Sequence, residues 1–202
     1  DVKKGELVCL IGCNGAGKTT TLKALAGLLP FEAHQLSFES NNESRLNLIT
    51  QPAHERLPSG IALVPEGRGV FKRMTIEENL ELGAYHQRNK AFMKEDIEKI
   101  YSTFPRLKER RLQNAGTLSG GEQQRVAIAR SVVNHPAILL ADEPTGNLDR
   151  ANAQAVFELM LELNARLGTA LVIVTHDVDL AGRAQRVLRL DDGVLTPTAA
   201  VK

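Results

Sequence analysis

The sequence predicts an α/β domain with a mainly parallel core sheet, a smaller antiparallel β region and a helical segment inserted over residues 67–117. Three observations predict it. Short apolar runs at residues 7–11, 61–64, 137–141 and 171–174 suit buried strands. Helical patterns separate those runs, the alternation that produces a parallel sheet. The strands end in reactive groups: a glycine loop after the first, paired carboxylates after the third, a histidine after the fourth. In open α/β sheets ligands bind at the carboxyl ends of the strands.

Residues 1–6 form a polar lead-in with a turn at Gly5, and Leu7-Val8-Cys9-Leu10-Ile11 is the first strand. Gly12-Cys13-Asn14-Gly15-Ala16-Gly17-Lys18-Thr19 follows, the G-x-x-x-x-G-K-T pattern of a P-loop. Four fixed positions arise by chance in on the order of 1 % of chains this long, given average residue usage. The flanking strand and helix lower that figure. Gly12, Gly15 and Gly17 can take positive φ and let the backbone approach a ligand closely. Their N–H groups form an anion-binding nest, and the following helix adds its positive end. Lys18 is placed to reach the β- and γ-phosphates, and the Thr19 hydroxyl to ligate Mg²⁺.

Composition narrows the classes. With 202 residues and 43% hydrophobic content the chain can build one sizeable core, with room for a subdomain. A net charge of +1 gives no nucleic-acid surface. Cys9 and Cys13 do not read as a disulfide framework and fit a reducing compartment. No apolar run reaches membrane-spanning length, so a soluble protein is expected, at a membrane only through a partner. The chain begins at Asp1 rather than Met and reads as a fragment of something longer.

Leu22, Leu25, Ala26 and Leu29 mark the helix after the loop, with Pro30 its expected stop. Residues 31–60 carry a weaker signal: an edge strand at 35–39, a loop at 41–44, and His34 and His54 as surface residues. Pro65 closes the strand at 61–64, and Glu66 opens a glycine-bearing loop. Thr75-x-x-Glu78 is a capping box for a helix over 75–82. Ile97, Ile100, Tyr101 and Phe104 share one face of a helix over 94–104, which Pro105 stops. The charge run at 106–111 reads as a solvated face.

Ser119-x-x-Glu122 is a second capping box. It explains Ser119 and Glu122 but not Gly120 and Gly121, which weaken a first turn. Bare N–H groups there suggest a second anion site. The strand at 137–141 ends in Asp142-Glu143-Pro144. Asp142 suits Mg²⁺, and Glu143 suits orienting or deprotonating an attacking water. Asp149 can cap a helix over 150–167, and Gly168 ends it. His176, after the strand at 171–174, is placed for a γ-phosphate contact. Residues 186–195 read as a hairpin turning at Asp192-Gly193.

Taken together these residues resemble the nucleotide-binding domain of ABC transporters over nearly the whole chain. Residues 12–19 match Walker A, and Leu118-Ser119-Gly120-Gly121-Glu122 the signature loop, with Glu where many members have Gln. Residues 138–142 match Walker B, Asn147-Leu148-Asp149 the D-loop, and His176 the switch histidine. The resemblance implies an ATPase with Glu143 and His176 catalytic. It implies Mg²⁺ held by Thr19, Asp142 and Glu66, the last in the position of the Q-loop glutamine. ATP contacts would come from Gly12, Cys13, Asn14, Gly15, Ala16, Gly17, Lys18, Thr19 and Thr20. A second, head-to-tail copy would add Ser119, Gly120, Gly121, Glu122 and Asp149. The implied partners are that second domain and a transmembrane permease on the cytoplasmic face of the inner membrane, whose coupling helix meets Glu66 and the inserted helices. No nucleic acid is expected.

Two subgroups are represented. Residues 60–124, with Val64-Pro65-Glu66-Gly67-Arg68, resemble branched-chain amino acid importer ATPases. Residues 125–195, with Asp149 and His176, resemble lipoprotein-releasing or macrolide-exporter ATPases. The pattern implies a chimera joined near the signature helix. Three departures imply weaker ATP affinity. The family's adenine-stacking aromatic lies upstream of Walker A, before this chain starts; Cys13 stands where Pro, Ser or Ala is usual; and residues 31–60 lack the usual glycine-bearing turns. The competing readings are a nucleotide-binding module without coupled transport and a DNA-repair ATPase. Only about a hundred residues separate Walker A from the signature, with no sustained heptads, which disfavours the latter.

Overall fold

The computed structural model describes residues 1–39, 45–67 and 69–198. Arg68 and the loop expected at 41–44 lie outside the described residues. Strand β1 (Leu7–Ile11) is buried along its whole length, as an unbroken apolar run must be at a sheet centre. Helix α1 (Lys18–Leu25) follows the glycine loop. It stops before Pro30, contrary to the sequence reading. Gly27 takes φ 76, and the Leu28 N–H reaches the Lys23 carbonyl at 2.8 Å while the Gly27 N–H reaches Ala24 at 2.9 Å. That left-handed cap ends the helix three residues early.

Strands β2 (Ser37–Glu39) and β3 (Arg45–Asn47) form a separate antiparallel pair. The short helix α2 (Ala53–Arg56) then delivers Arg56 beneath α1. Its guanidinium is 3% exposed; Nη1 donates to the Ala24 carbonyl at 2.9 Å and to that of Leu25, and Nη2 to Leu48 at 2.7 Å. Carbonyls left unpaired at the end of α1 are thus satisfied from thirty residues further along.

Strand β4 (Ile61–Val64) leads to α3 (Ile76–Gly83), α4 (Lys90–Thr103) and α5 (Pro105–Glu109). The Thr75–Glu78 capping box forms as the sequence predicts. Helix α4 begins at Lys90 rather than 94, because the Asn89 side chain accepts the Ala91 N–H at 2.9 Å. Its first turn is solvated and shows no apolar periodicity. Pro105 ends α4 and also opens α5, where its missing N–H costs nothing. Next come α6 (Gly120–Val132), β5 (Ile138–Asp142), α7 (Arg150–Leu167), β6 (Ala170–Val174), α8 (Val178–Ala181), β7 (Arg186–Asp191) and β8 (Val194–Thr198). Asp192 (φ 47) and Gly193 (φ 79) make the two-residue turn between β7 and β8.

The six-stranded sheet runs β4-β5-β6-β1-β7-β8, parallel except for β8. Strand periodicity splits the core into two layers. Cys9, Ala141, Leu139 and Ile173 face the layer built with α3, α4, α6 and α7. Leu10, Leu140, Val172 and Val174 face the layer under α1, with Leu22 and Leu48. Burial pushes the Cys9 thiol up to about 12, so it is a core residue. The register pairs Val64 with Ala141, Asp142 with Val174, and Val174 with Leu10. The carboxyl ends of β4, β5, β6 and β1 therefore finish along one edge.

Candidate functional site

The loop after β1 is shaped by close backbone approach. A Cβ on Gly12 would lie 2.4 Å from the Leu190 carbonyl oxygen of β7. Gly15 and Gly17 take φ 87 and 98, the left-handed region that favours glycine. The Ala16 N–H closes the turn on the Cys13 carbonyl at 3.2 Å. Lys18 is 7% exposed, with Nζ donating to the carbonyls of Gly12 at 2.8 Å and Cys13 at 2.9 Å. The ammonium is thus held inside the ring of the loop. Gly17, the residue capping α1, offers no side-chain acceptor, so the first-turn N–H groups face the loop as an anion site.

Thr19 links this loop to the next strand but one. Its Oγ1 donates to Asp142 Oδ1 at 2.8 Å. Asp142 is 1% exposed; burial raises its pKa, the Thr19 bond opposes that, Glu66 adds a further rise, and Lys23 and Lys18 lower it. A hydroxyl and a buried carboxylate at this spacing are hard oxygen donors suited to Mg²⁺. Among the described residues no three His, Cys, Asp or Glu side chains cluster to hold a metal by themselves. That fits Mg²⁺, which takes one or two carboxylates and completes its shell with phosphate oxygens and water.

Glu143 follows with φ 45, and its N–H donates to the Val174 carbonyl at 3.0 Å. A non-glycine residue pays of order 1–2 kcal/mol for that conformation, and such strain clusters at functional sites. The turn aims the side chain at His176, whose Nδ1 lies 2.9 Å from Glu143 Oε2. The carboxylate is largely sheltered and the imidazole 62% exposed.

One cleft of about 660 Å³ collects these groups. It is lined by Gly12, Cys13, Asn14, Gly15, Gly17, Lys18, Thr19, Thr20, Glu66, Glu143 and His176. Gly146 and Asn147 also line it. The sequence reading left both in a turn; their position just after the carboxylate pair was the available signal. Ala16 lies off the cleft and packs against the layer under α1. A larger groove, about 920 Å³, runs between α5 and α7 and shares only Glu122 with the candidate residues.

The second group lies apart from the cleft. Ser119 caps α6, its Oγ accepting the Glu122 N–H at 3.4 Å while Glu122 Oε2 accepts the Ser119 N–H at 2.9 Å. Burial would raise the Glu122 carboxyl, but the Ser119 bonds and the paired Arg110 outweigh it and leave it low. Gly121 departs from the sequence reading, which assigned both glycines to an anion. It is buried, and a Cβ there would lie 2.5 Å from Asn152 Oδ1 of α7. Packing alone demands glycine at that position. Asp149 is exposed, and its side chain accepts the Asn152 N–H at 3.0 Å as the cap of α7.

Known proteins share this arrangement. The family model described as ABC transporter matches residues 1–146. The high-affinity branched-chain amino acid transport ATP-binding protein BraG of Pseudomonas aeruginosa is 40% identical over 194 residues, spanning 96% of this chain and 80% of BraG. The dimeric ATP-binding cassette MJ0796 in a post-hydrolysis state with ADP and Pi superposes with TM-score 0.80 at 27% identity, over 100% of this chain and 88% of that one. The cbiO1 protein of Clostridium perfringens, part of the cbiONQ complex, shows the same fold with TM-score 0.81 at 22% identity, over 97% and 77%.

Proposed function

The chain belongs to the ABC transporter family of ATPases, and from that premise we propose that it couples ATP hydrolysis to transport of branched-chain amino acids by a membrane partner. The observation that carries the chemistry is the meeting of Lys18, the Thr19–Asp142 pair and the Glu143–His176 pair in one cleft. Backbone N–H groups at residues 12–20 cradle the triphosphate, and Lys18 turns from the loop carbonyls to the β- and γ-phosphates. Mg²⁺ beside Thr19 and Asp142, with Glu66 nearby, would neutralise charge growing on the phosphate oxygens. Glu143 accepts the proton of the attacking water. His176 fixes the Glu143 carboxylate and presents its ring edge to the γ-phosphate.

The nucleotide site is proposed to be completed by a second copy. Ser119, Gly120, Gly121 and Glu122 stand at the start of α6 and do not line their own cleft. A head-to-tail pair would bring them, with Asp149, to the partner's ATP. MJ0796, similar over the whole chain, is dimeric. Residues 67–117 act as the helical subdomain that, with Glu66, receives the permease on the cytoplasmic face.

The branched-chain assignment rests on BraG. The motifs of residues 125–195 favour the lipoprotein-release type, and we hold to a chimera joined near α6. A coding sequence with smooth similarity to one subgroup throughout would sink the chimera. Lys18→Ala tests the phosphate site. Ligand at a hundredfold excess over Kd stabilises by about 2.7 kcal/mol, readily seen as a melting shift. The parent should show that shift with MgATP and Lys18→Ala should not; an undiminished shift refutes the assignment. ATP turnover unaltered by a co-reconstituted branched-chain permease would favour a nucleotide-binding module without coupled transport.

A further inference from the structure

We infer that Asn152 is a positioning residue that locks the start of α6, with Ser119, Gly120 and Gly121, to the loop carrying Glu143. Gly121 is the second residue of α6 and Asn152 the third of α7. A Cβ on Gly121 would lie 2.5 Å from Asn152 Oδ1, 2.9 Å from its Cγ and 3.2 Å from its Cβ. The whole amide therefore lies flat against the glycine. The far side of that amide is fixed too: Nδ2 donates to Asp149 Oδ2 at 2.7 Å, while Asp149 Oδ1 takes the Asn152 N–H. With Nδ2 committed to Asp149, the oxygen must face Gly121.

Asp149 in turn ends a tight segment that begins at Glu143. The Gly146 N–H meets the Glu143 carbonyl at 3.2 Å, and the Leu148 N–H meets Thr145 at 3.1 Å. A Cβ on Gly146 would stand 3.4 Å from Glu143 Oε2. Glu143, the turn, Asp149, Asn152 and Gly121 thus form one packed path through a single chain. The inference rests on the paired reading above. In such a pair Glu143 serves its own ATP and Gly121 the partner's, so Asn152 ties the two sites together. A plain helix cap would not need the amide, because Asp149 Oδ1 already holds the Asn152 N–H.

The test uses the full chain as parent, Asn152→Ala, Gly121→Ala and the double variant. Affinity for a fluorescent ATP analogue is read beside steady-state turnover against MgATP. Affinity should stay within about twofold throughout, since the phosphate loop is untouched. Asn152→Ala should bring the Hill coefficient toward one and lower turnover roughly 10–100-fold, the cost of misplacing a reacting group by about an ångström. Gly121→Ala should lose a similar factor. In the double variant the new methyl fills the space the amide leaves, and turnover should recover about tenfold over Gly121→Ala. A parent Hill coefficient and turnover in Asn152→Ala, or a double variant no better than Gly121→Ala, overturns the inference alone. A Glu143→Gln protein that stays monomeric with MgATP overturns the pairing and the inference with it.

Discussion

Glu143→Gln separates hydrolysis from binding. Losing a general base costs about 10²–10⁴ in rate, or about 2.7–5.4 kcal/mol on the barrier at 1.36 kcal/mol per tenfold. The fold should barely register the change. Glutamine keeps the length and an acceptor oxygen for His176 Nδ1, now 2.9 Å from the carboxylate. His176 is 62% exposed, so the ion pair lost is screened and contributes less than about 1 kcal/mol. The φ of 45 is no harder for Gln than for Glu. Lys18, Thr19 and Asp142 are untouched, so ATP should still bind. The assay is phosphate release under saturating MgATP, with size-exclusion chromatography in parallel. Turnover should fall at least a hundredfold, within that range for a lost base, while the ATP-bound form lives longer and elutes as a dimer. Hydrolysis at the parent rate would remove Glu143 from the mechanism, whatever the elution profile.

Two further outcomes bear on the scaffold. Asn79 is fully buried and bonds the Phe71 N–H and carbonyl at 2.9 and 3.1 Å and the Thr75 carbonyl at 2.8 Å, so Asn79→Ala should destabilise by roughly 2–4 kcal/mol through orphaned backbone groups; an unchanged urea midpoint would show that the loop finds other partners. Glu78 is held below its ordinary pKa, first by the Thr75 N–H and then by the Thr75 hydroxyl. A depressed carboxyl contributes stability that is present above its unfolded pKa and lost as pH falls through the folded one. Melting curves across the acidic range should therefore fall less steeply for Glu78→Gln than for the parent, and identical slopes would exclude Glu78 as a source of acid sensitivity.

Much of this molecule is written in local pattern. The runs at 7–11 and 171–174 become buried parallel strands because unbroken apolar residues must be covered on both faces. The boxes at Thr75 and Ser119, the Gly168 stop and the Asp192-Gly193 turn form because their partners lie within a few residues. The P-loop is legible for the same reason: its glycines, Lys18 and Thr19 act within one turn of chain. Periodicity does not register the solvated start of α4, and Pro30 drew attention from Gly27, whose left-handed backbone is the true end of α1. Other features exist only after folding. Arg56 could be recognised as the cap of α1 only once β3 and α2 bring it under Ala24 and Leu25. Thr19 meets Asp142, and Glu143 meets His176, because the sheet order sets β5 beside β6 and β6 beside β1. Gly121 looked like a phosphate ligand until α7 placed Asn152 against it. A local signal needs only neighbours along the chain, whereas the partner of a buried polar group is chosen by whichever elements pack around it.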